Sequence, residues 1–569
     1  MKKRFMQFAG LVLAAALLAP AGPARAAAVS VNPTVRVGLA FGGNALPGAN
    51  LQNEEGAGYR LGYYDTDMSF VQLGYTAETQ ISVVKTQNVW FGYLSDQGRN
   101  GYSDAISSDV AVGCYHVALP GAYADFESAS AAAAGVSGGF PAWVNGAYEV
   151  RAGAYLSQEE AQSAAAAMGG SLAGTGSSAV SVVKTGTSRI LFQFDGGGSQ
   201  SLGVQPGLDG GVEPVTWFAG YRYHGGFQYQ RVSGGNLTVS NVIPLEDYVR
   251  GVLPYEMGNS WPLEALKAQA VCARTYAMSK IQASKHAGQG FDICNTTDCQ
   301  VYQGVSSANA TTDRAAAETY GLYVWYGDTL AETSYSSCDG GATEDASVVW
   351  GGKNSPWLTG VADPYEAAVV DKIEGYSWSY TFTAQELTDR LNAKGYGNTG
   401  VVSVQITSTA LGNVRSLTFT DSSGSNRTFT GDNARIFLGL SSNRYTVSAG
   451  GATSGGGSGG GGGTGGVTDL TGAYAIDGQG NISPLPGGDT YVITGTGTQA
   501  YNPSGTAAGS PAPTTPPTSA GVTGSSFTFT GTGKGHNVGM SQWGANAMAK
   551  QGYTYDEILH FYFTGIDVR

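Results

Sequence analysis

Charge is scarce in this chain, and positive charge is scarcer still. Asp, Glu, Lys and Arg make up 13% of the residues, with 30 basic against 43 acidic, for a net charge of −13. Nucleic-acid binding needs a basic patch or stripe, and this composition argues against it. Long hydrophobic runs are missing too: beyond the N-terminal segment no stretch is apolar enough to span a bilayer. No H-E-x-x-H pattern occurs, which removes the common zinc-protease chemistry. Cysteine is sparse and odd in number, five in all, so at least one thiol is left over from any disulfide scheme. What the chain has in quantity is glycine, 87 residues, and tyrosine, 32 against 20 Phe and 9 Trp. A weakly charged, Tyr-rich protein suits neutral ligands such as carbohydrate, although tyrosines also fill sheet surfaces.

At 569 residues the chain is too long for one core, so several domains are expected. Residues 1–28, "MKKRFMQFAGLVLAAALLAPAGPARAAA", run from a basic start through a short apolar stretch to small residues. That is the pattern of a secretory signal peptide. The expectation is export to the cell envelope or beyond, with an uncleaved leader as membrane anchor the alternative. Residues 29–110 alternate β-like runs with Gly/Asn turns and read as a β-rich region.

An internal repeat follows in residues 111–198. "YHVALPGAYADFESASAAAAG" lines up with "YEVRAGAYLSQEEAQSAAAAMG", each a strand, a turn and an Ala-rich helix, with Asp125 and Ser157 as N-caps. Strands are expected after each helix, in "AWVNG" and "ILFQF". The repeat resembles a SPOR domain, which implies binding of peptidoglycan glycan strands that lack stem peptides. Residues 199–449 mix helices and strands, including hairpins around Gly327-Asp328 and around the turn in "TDSSGSNRT". Residues 450–525 are a Gly- and Pro/Thr-rich linker and insert by composition. Residues 526–569 look structured again and are expected to dock back onto the earlier domain. The fold class is α+β, multidomain.

The chemistry gathers around "NVIPLEDYVRGVLPYEMGNSWPLEALKAQAVCARTYA". Leu245, Tyr248, Val249, Val252 and Leu253 fall at helical spacing. Pro244 and Glu246-Asp247 suit a first turn, and Pro254 is expected to end the helix. A second helix starts near Ser260-Trp261-Pro262, with Leu263, Leu266, Ala270, Ala273 and Ala277 on its buried side. Glu256 then occupies a tight corner beside Met257 and Trp261. Burial there disfavours the carboxylate and raises its pKa, as a general acid near neutral pH requires. Arg274, on the flank of the apolar stripe, can orient a carboxylate or hold a substrate oxygen. On residues alone, a solvated Glu and a snorkelling Arg are the alternatives.

This segment resembles the signature of the SpoIID/LytB family of exported bacterial cell-wall proteins. Three more segments agree in order: "FDICNTTDCQVYQG", "SYSSCDGGATEDASVVW" and "GKGHNVGMSQWGANAMAKQGYTYDEILHFYF". The resemblance implies a lytic transglycosylase acting on peptidoglycan glycan strands, with Glu256 as catalytic acid; Arg274, which also stands in its motif, is the second catalytic candidate. Such an enzyme needs only one carboxylate, because the muramic sugar's own C6 hydroxyl attacks the anomeric carbon. It also implies that the C-terminal block packs beside the catalytic corner, with His536, Gln542 and Trp261 binding sugar. Asn537 stands where the family usually has Gly. Some relatives modulate a cell-wall amidase without cutting, so an amidase is the alternative partner.

Cys294 and Cys299 lie close together, with His286 just upstream. Family members bind zinc here through two Cys and nearby His, and in this chain Asp298 replaces the His before the second Cys. His286, Cys294, Asp298 and Cys299 can supply four ligands to a structural zinc. A disulfide or free thiols are the alternatives, and no cofactor is required for the chemistry.

Overall fold

The computed structural model describes residues 32–107, 109–352, 355–450 and 519–569, and the backbone of four short strands between Tyr474 and Tyr501. The leader at 1–28 and most of the 450–525 stretch lie outside the described residues. The protein is α+β, with helices and strands mixed through several sheets. The chain divides into two compact units. One comprises residues 1–378, 435–444 and 531–569; the other comprises 379–434 and 445–530. Among the described residues no helix is long and apolar enough to cross a membrane.

Two large sheets form the framework of the first unit. In the seven-stranded sheet, Thr34–Ala40 pairs antiparallel with Leu237–Pro244, which pairs with Gly226–Arg231. The ten-stranded sheet joins strands from the N-terminal stretch, the repeat and the region after it. Alternating inward residues such as Val35, Val37, Leu51, Leu61, Ile81, Val83, Phe192 and Phe194 belong to one buried core. That is the period-2 burial expected of strands with one face on a core.

Within the repeat, helices α1 (Phe126–Ala134) and α2 (Gln158–Met168) start at Asp125 and Ser157, whose side chains accept backbone N–H bonds. The strands Tyr115–Tyr123 and Ala147–Tyr155 pair antiparallel at its centre. The strand after α1 is Gly139–Val144, which contains "AWV". After α2, however, the chain turns at Gly169 in the left-handed region into the two-residue strand Ser171–Leu172. "ILFQFD" (Ile190–Asp195) comes later and pairs parallel with Gly139–Val144. The glycine cap reverses the chain at once, so the first extended residues take the free edge of Tyr115–Tyr123.

Helices α3 (Leu245–Glu256) and α4 (Leu263–Ala283) carry the site. Pro254 does not end α3; it lies inside the last turn, and the helix runs on to Glu256. A proline this near the C-terminus forfeits one N–H bond without a following turn to disrupt. α4 is buried between two cores. Ala273, Ala277 and Met278 face the sheet core, while Ala265, Leu266, Ala270 and Val271 face a second core built with the C-terminal segment. Its many alanines let neighbours approach from both sides. Val538, Met540, Ala545, Met548, Ile558, Leu559 and Tyr562 fill that second core. A fully buried leucine such as Leu266 contributes roughly 2–3 kcal/mol of transfer free energy. The Gly327 hairpin forms, with Trp325 opposite Leu330.

In the second unit, Val401–Ser408, Val414–Asp421, Asn426–Thr430 and Ser519–Thr523 make a four-stranded antiparallel sheet. Helix Ala384–Ala393 starts with a Thr383/Glu386 capping box.

Candidate active site

Glu256 is the last residue of α3, where Met257 turns to extended backbone and the chain bends toward α4. Trp261 in that bend does not reach the groove described below. It packs on Trp543, ring centroids 4.6 Å apart, and so braces the helix Gln542–Lys550. The loop after Cys299 closes the opposite side. Gly251 allows this approach, because a Cβ there would stand 2.4 Å from a ring carbon of Tyr302.

Two uncharged donors hold the Glu256 carboxylate. The Val301 backbone N–H donates to Oε1 at 2.8 Å, and the Gln542 amide donates to Oε2 at 3.3 Å. The Tyr335 hydroxyl, on the wall of the same groove, also favours the charged form. Gln300 orients that tyrosine: its Oε1 accepts the Tyr248 hydroxyl at 2.9 Å, while its Nε2 donates to the Tyr335 oxygen at 2.9 Å. Burial nevertheless wins over these donors and pushes the Glu256 pKa above the usual carboxylate range. The negative end of the α3 dipole acts in the same direction.

Glu256 opens on a groove of about 760 Å³ whose lining includes Tyr276, Tyr335, Trp350, His536 and Gln542. His536 stands edge-on to Trp350, centroids 5.0 Å apart. The Val538 N–H donates to His536 Nδ1 at 3.1 Å, which in the neutral ring leaves the proton on Nε2. Asn537 adopts φ 63°, a left-handed conformation that asparagine tolerates, and its amide donates to the Asp339 carbonyl at 2.9 Å. The turn thus survives without the glycine. The groove's two other carboxylates are engaged: Glu332 with Lys280 at 2.6 Å and Asp298 with Lys285 at 3.0 Å.

Arg274 is not part of this groove. It is fully buried and forms a bidentate pair with Glu246, both bonds 2.7 Å, and it also donates to the Leu322 carbonyl at 3.2 Å. Glu246 in turn accepts the Gly321 N–H at 3.1 Å. The helical spacing that put Arg274 on the flank of the stripe was right, but the acidic first turn of α3 captures it before it can reach Glu256. Its place is to lock α3, α4 and the chain after α5 (Ala310–Glu318) together.

His286, Cys294, Asp298 and Cys299 do come together, their ligand atoms all within 4.8 Å of one another. His286 Nε2 lies 3.2 Å from Cys299 Sγ, and Cys294 Sγ lies 3.7 Å from Asp298 Oδ2. These edges match a tetrahedron of bonds of about 2.0–2.3 Å, the size that zinc demands. Gln289 Oε1, 2.8 Å from His286 Nδ1, accepts the proton that leaves Nε2 free to ligate. A hydrogen bond from Cys299 pulls the Cys294 thiol down to about 5, and the same bond, with burial, pushes Cys299 up. All five cysteines are unbridged. The residue types and spacing fit a structural metal.

Sequence reasoning passed over Tyr335, Gln300, Val301 and Tyr276. Their only signal was membership of matching segments, since a backbone N–H has no sequence signature. It also missed Asp339, Asp363 and Glu366, three buried carboxyls gathered under the C-terminal block. Burial raises all three pKa values, most of all that of Asp339, with mutual repulsion adding to it. Glu366 accepts from the Asp339 and Gly340 N–H groups and from Ser541. Asp363 accepts from the Tyr562 hydroxyl at 2.6 Å.

This combination, an α3–α4 corner with a half-buried acid and a thiol–imidazole cluster in the next loop, coincides with a matched segment. Residues 233–326 match the SpoIID family of stage II sporulation proteins. An uncharacterized protein of Brachyspira hyodysenteriae is 30% identical over 352 residues, 61% of this chain and 73% of that protein. The amidase enhancer of Bacillus subtilis is 31% identical over 344 residues, 56% of this chain and 39% of the relative. Stage II sporulation protein D of Bacillus subtilis is 27% identical over 347 residues, 58% of this chain and 76% of the relative. The chain belongs to the SpoIID family.

Proposed function

We propose that the protein is an exported cell-wall enzyme, a peptidoglycan lytic transglycosylase that uses Glu256 as its single acid/base. One observation carries this reading: Glu256 is held by neutral donors, its pKa is raised by burial, and it opens on a groove whose other carboxylates are already paired. Protonated Glu256 gives its proton to the oxygen of the MurNAc–GlcNAc bond, and the C1–O bond breaks. The C6 hydroxyl of the same muramic residue attacks C1. Its proton passes to the Glu256 carboxylate, which is restored to the acid, and the sugar leaves as a 1,6-anhydro end. No water enters, and no second carboxylate is called for. Gln542, Tyr335 and the Val301 N–H stabilise the carboxylate formed midway.

A zinc held by His286, Cys294, Asp298 and Cys299 would serve as a structural cross-link. The loop it pins begins one residue before Gln300 and two before Val301, the groups that orient Tyr335 and hold Glu256. The repeat would deliver the enzyme to peptide-free strands, as a SPOR-like module does. Its two strand–helix–strand units interleave in one sheet, each strand antiparallel to its neighbour from the other unit, and this supports that role.

The test is incubation with peptide-free glycan strands and mass spectrometry for 1,6-anhydro ends. Release by the intact protein and none by Glu256→Gln is the expected outcome. Binding without cutting by the intact protein would favour the second reading, a modulator of a cell-wall amidase, which the similarity to an amidase enhancer supports.

A further inference from the structure

The geometry points to Lys534 as the residue that reads the free lactyl carboxylate of a muramic sugar in the Glu256 groove, and so selects glycan without stem peptides. This rests on the transglycosylase reading and names what makes its substrate choice.

Lys534 lines the same groove as Glu256 and His536. Its backbone is clamped to the wall: its N–H donates to the Cys338 carbonyl at 2.8 Å, and the Cys338 N–H returns to the Lys534 carbonyl at 3.2 Å. The following Gly535 has φ 134°, and a Cβ there would stand 2.4 Å from Ser336, so the strand lies flat on its neighbour. The fixed backbone leaves the Lys534 side chain exposed at the groove.

Its charge is also uncompensated. Five other lysines of this unit, Lys85, Lys184, Lys267, Lys280 and Lys285, sit 3.0 Å or less from a carboxylate. Among the described residues Lys534 has no carboxylate within ion-pair distance, in a chain whose net charge is −13. The groove's other cation, Arg435, already has interactions of its own. The groove's acids are paired or, for Glu256, shifted toward the neutral form. An anion entering the groove therefore meets one unengaged positive charge.

The muramic residue supplies that anion. Its lactyl ether hangs from C3 of the ring whose C1–O bond is cut. The ether ends in a carboxylate only when the stem peptide has been removed; otherwise it ends in a neutral amide with a bulky extension. A flexible, partly solvated ammonium–carboxylate pair discriminates by about five-fold, enough to add to the steric rejection of the peptide.

The experiment compares peptide-free strands with the same strands whose lactyl carboxylates have been converted to methylamides by carbodiimide and methylamine. Equilibrium binding is measured with Glu256→Gln protein, which holds the strands uncut, with and without Lys534→Met. Methylamidation is expected to weaken binding about five-fold when Lys534 is present and not at all when it is absent, with Lys534→Arg restoring the difference. In the Glu256 protein, Lys534→Met should raise KM and leave kcat nearly unchanged. Equal affinity for both strands in the presence of Lys534 overturns this assignment and leaves the transglycosylase reading standing. Failure to bind either strand overturns both.

Discussion

Two groups of carboxyls in the same unit have raised pKa values, and only one of them faces a substrate-sized space. Asp339, Asp363 and Glu366 are sealed: each is buried, and backbone N–H groups, Ser541 and Tyr562 donate to all of their oxygens except Asp339 Oδ2. Glu256 is half-buried, has the same kind of neutral donors, and opens on a groove of about 760 Å³. Desolvation alone therefore does not mark a catalytic acid. The difference lies in where the proton can go. In the triad the carboxyls are closed in by protein, whereas the exposed side of Glu256 faces the groove.

The comparison predicts opposite consequences for substitution in the two places. Glu256→Gln should reduce formation of anhydro ends by about 10³-fold or more, with the melting temperature nearly unchanged, because glutamine keeps the shape and most of the hydrogen bonds. Measurable cutting close to the intact rate would remove Glu256 from the mechanism. Arg274→Ala tests the residue that leaves the groove for Glu246. It should lose about 3–5 kcal/mol of stability, since Glu246 is left as an unpaired buried charge. Denaturant unfolding measures this, and a stable but inactive protein would return Arg274 to the catalytic machinery.

Tyr335→Phe sharpens the contrast at the groove itself. It removes a donor that favours the carboxylate, so the Glu256 pKa should rise and the alkaline limb of the pH–rate profile should move upward. An unmoved limb would detach Tyr335 from the acid.

The triad makes the smallest prediction, and its sign follows from linkage. Folded-state pKa values above the unfolded ones mean that the folded protein holds more protons. Stability from these groups is complete below the ordinary carboxyl pKa of about 4 and declines as pH rises through the raised values. Asp363→Asn should flatten that decline and raise stability at pH 8 by about 1 kcal/mol, read from thermal melts across pH.

Much of the site was legible in the chain because it rests on local rules. The apolar period of α3 and α4, the N-caps at Asp125 and Ser157 and the Gly327 hairpin all form as residue spacing requires. Glu256, Gln542 and the cysteine cluster were legible because each sits within a segment of recognisable pattern. Less local questions were misread. Pro254 reads as a helix stop in isolation, whereas α3 needs only two more residues beyond it. Arg274 reads as a catalytic candidate in linear order, where nothing shows that Glu246 takes its guanidinium.

By itself the sequence determined the family, the helix pair, the acid at its corner and the four residues of the thiol–imidazole cluster. These depend on short-range periodicity and on side-chain types that have few alternative uses. Tertiary structure alone decided which partner Arg274 takes, which donors surround Glu256, and which carboxyls are sealed and which are open. Those outcomes depend on backbone groups such as the Val301 N–H and on contacts between residues hundreds of positions apart, as with Glu256 and Gln542. No local preference encodes such a distance; only packing the C-terminal segment onto α4 brings it within a hydrogen bond.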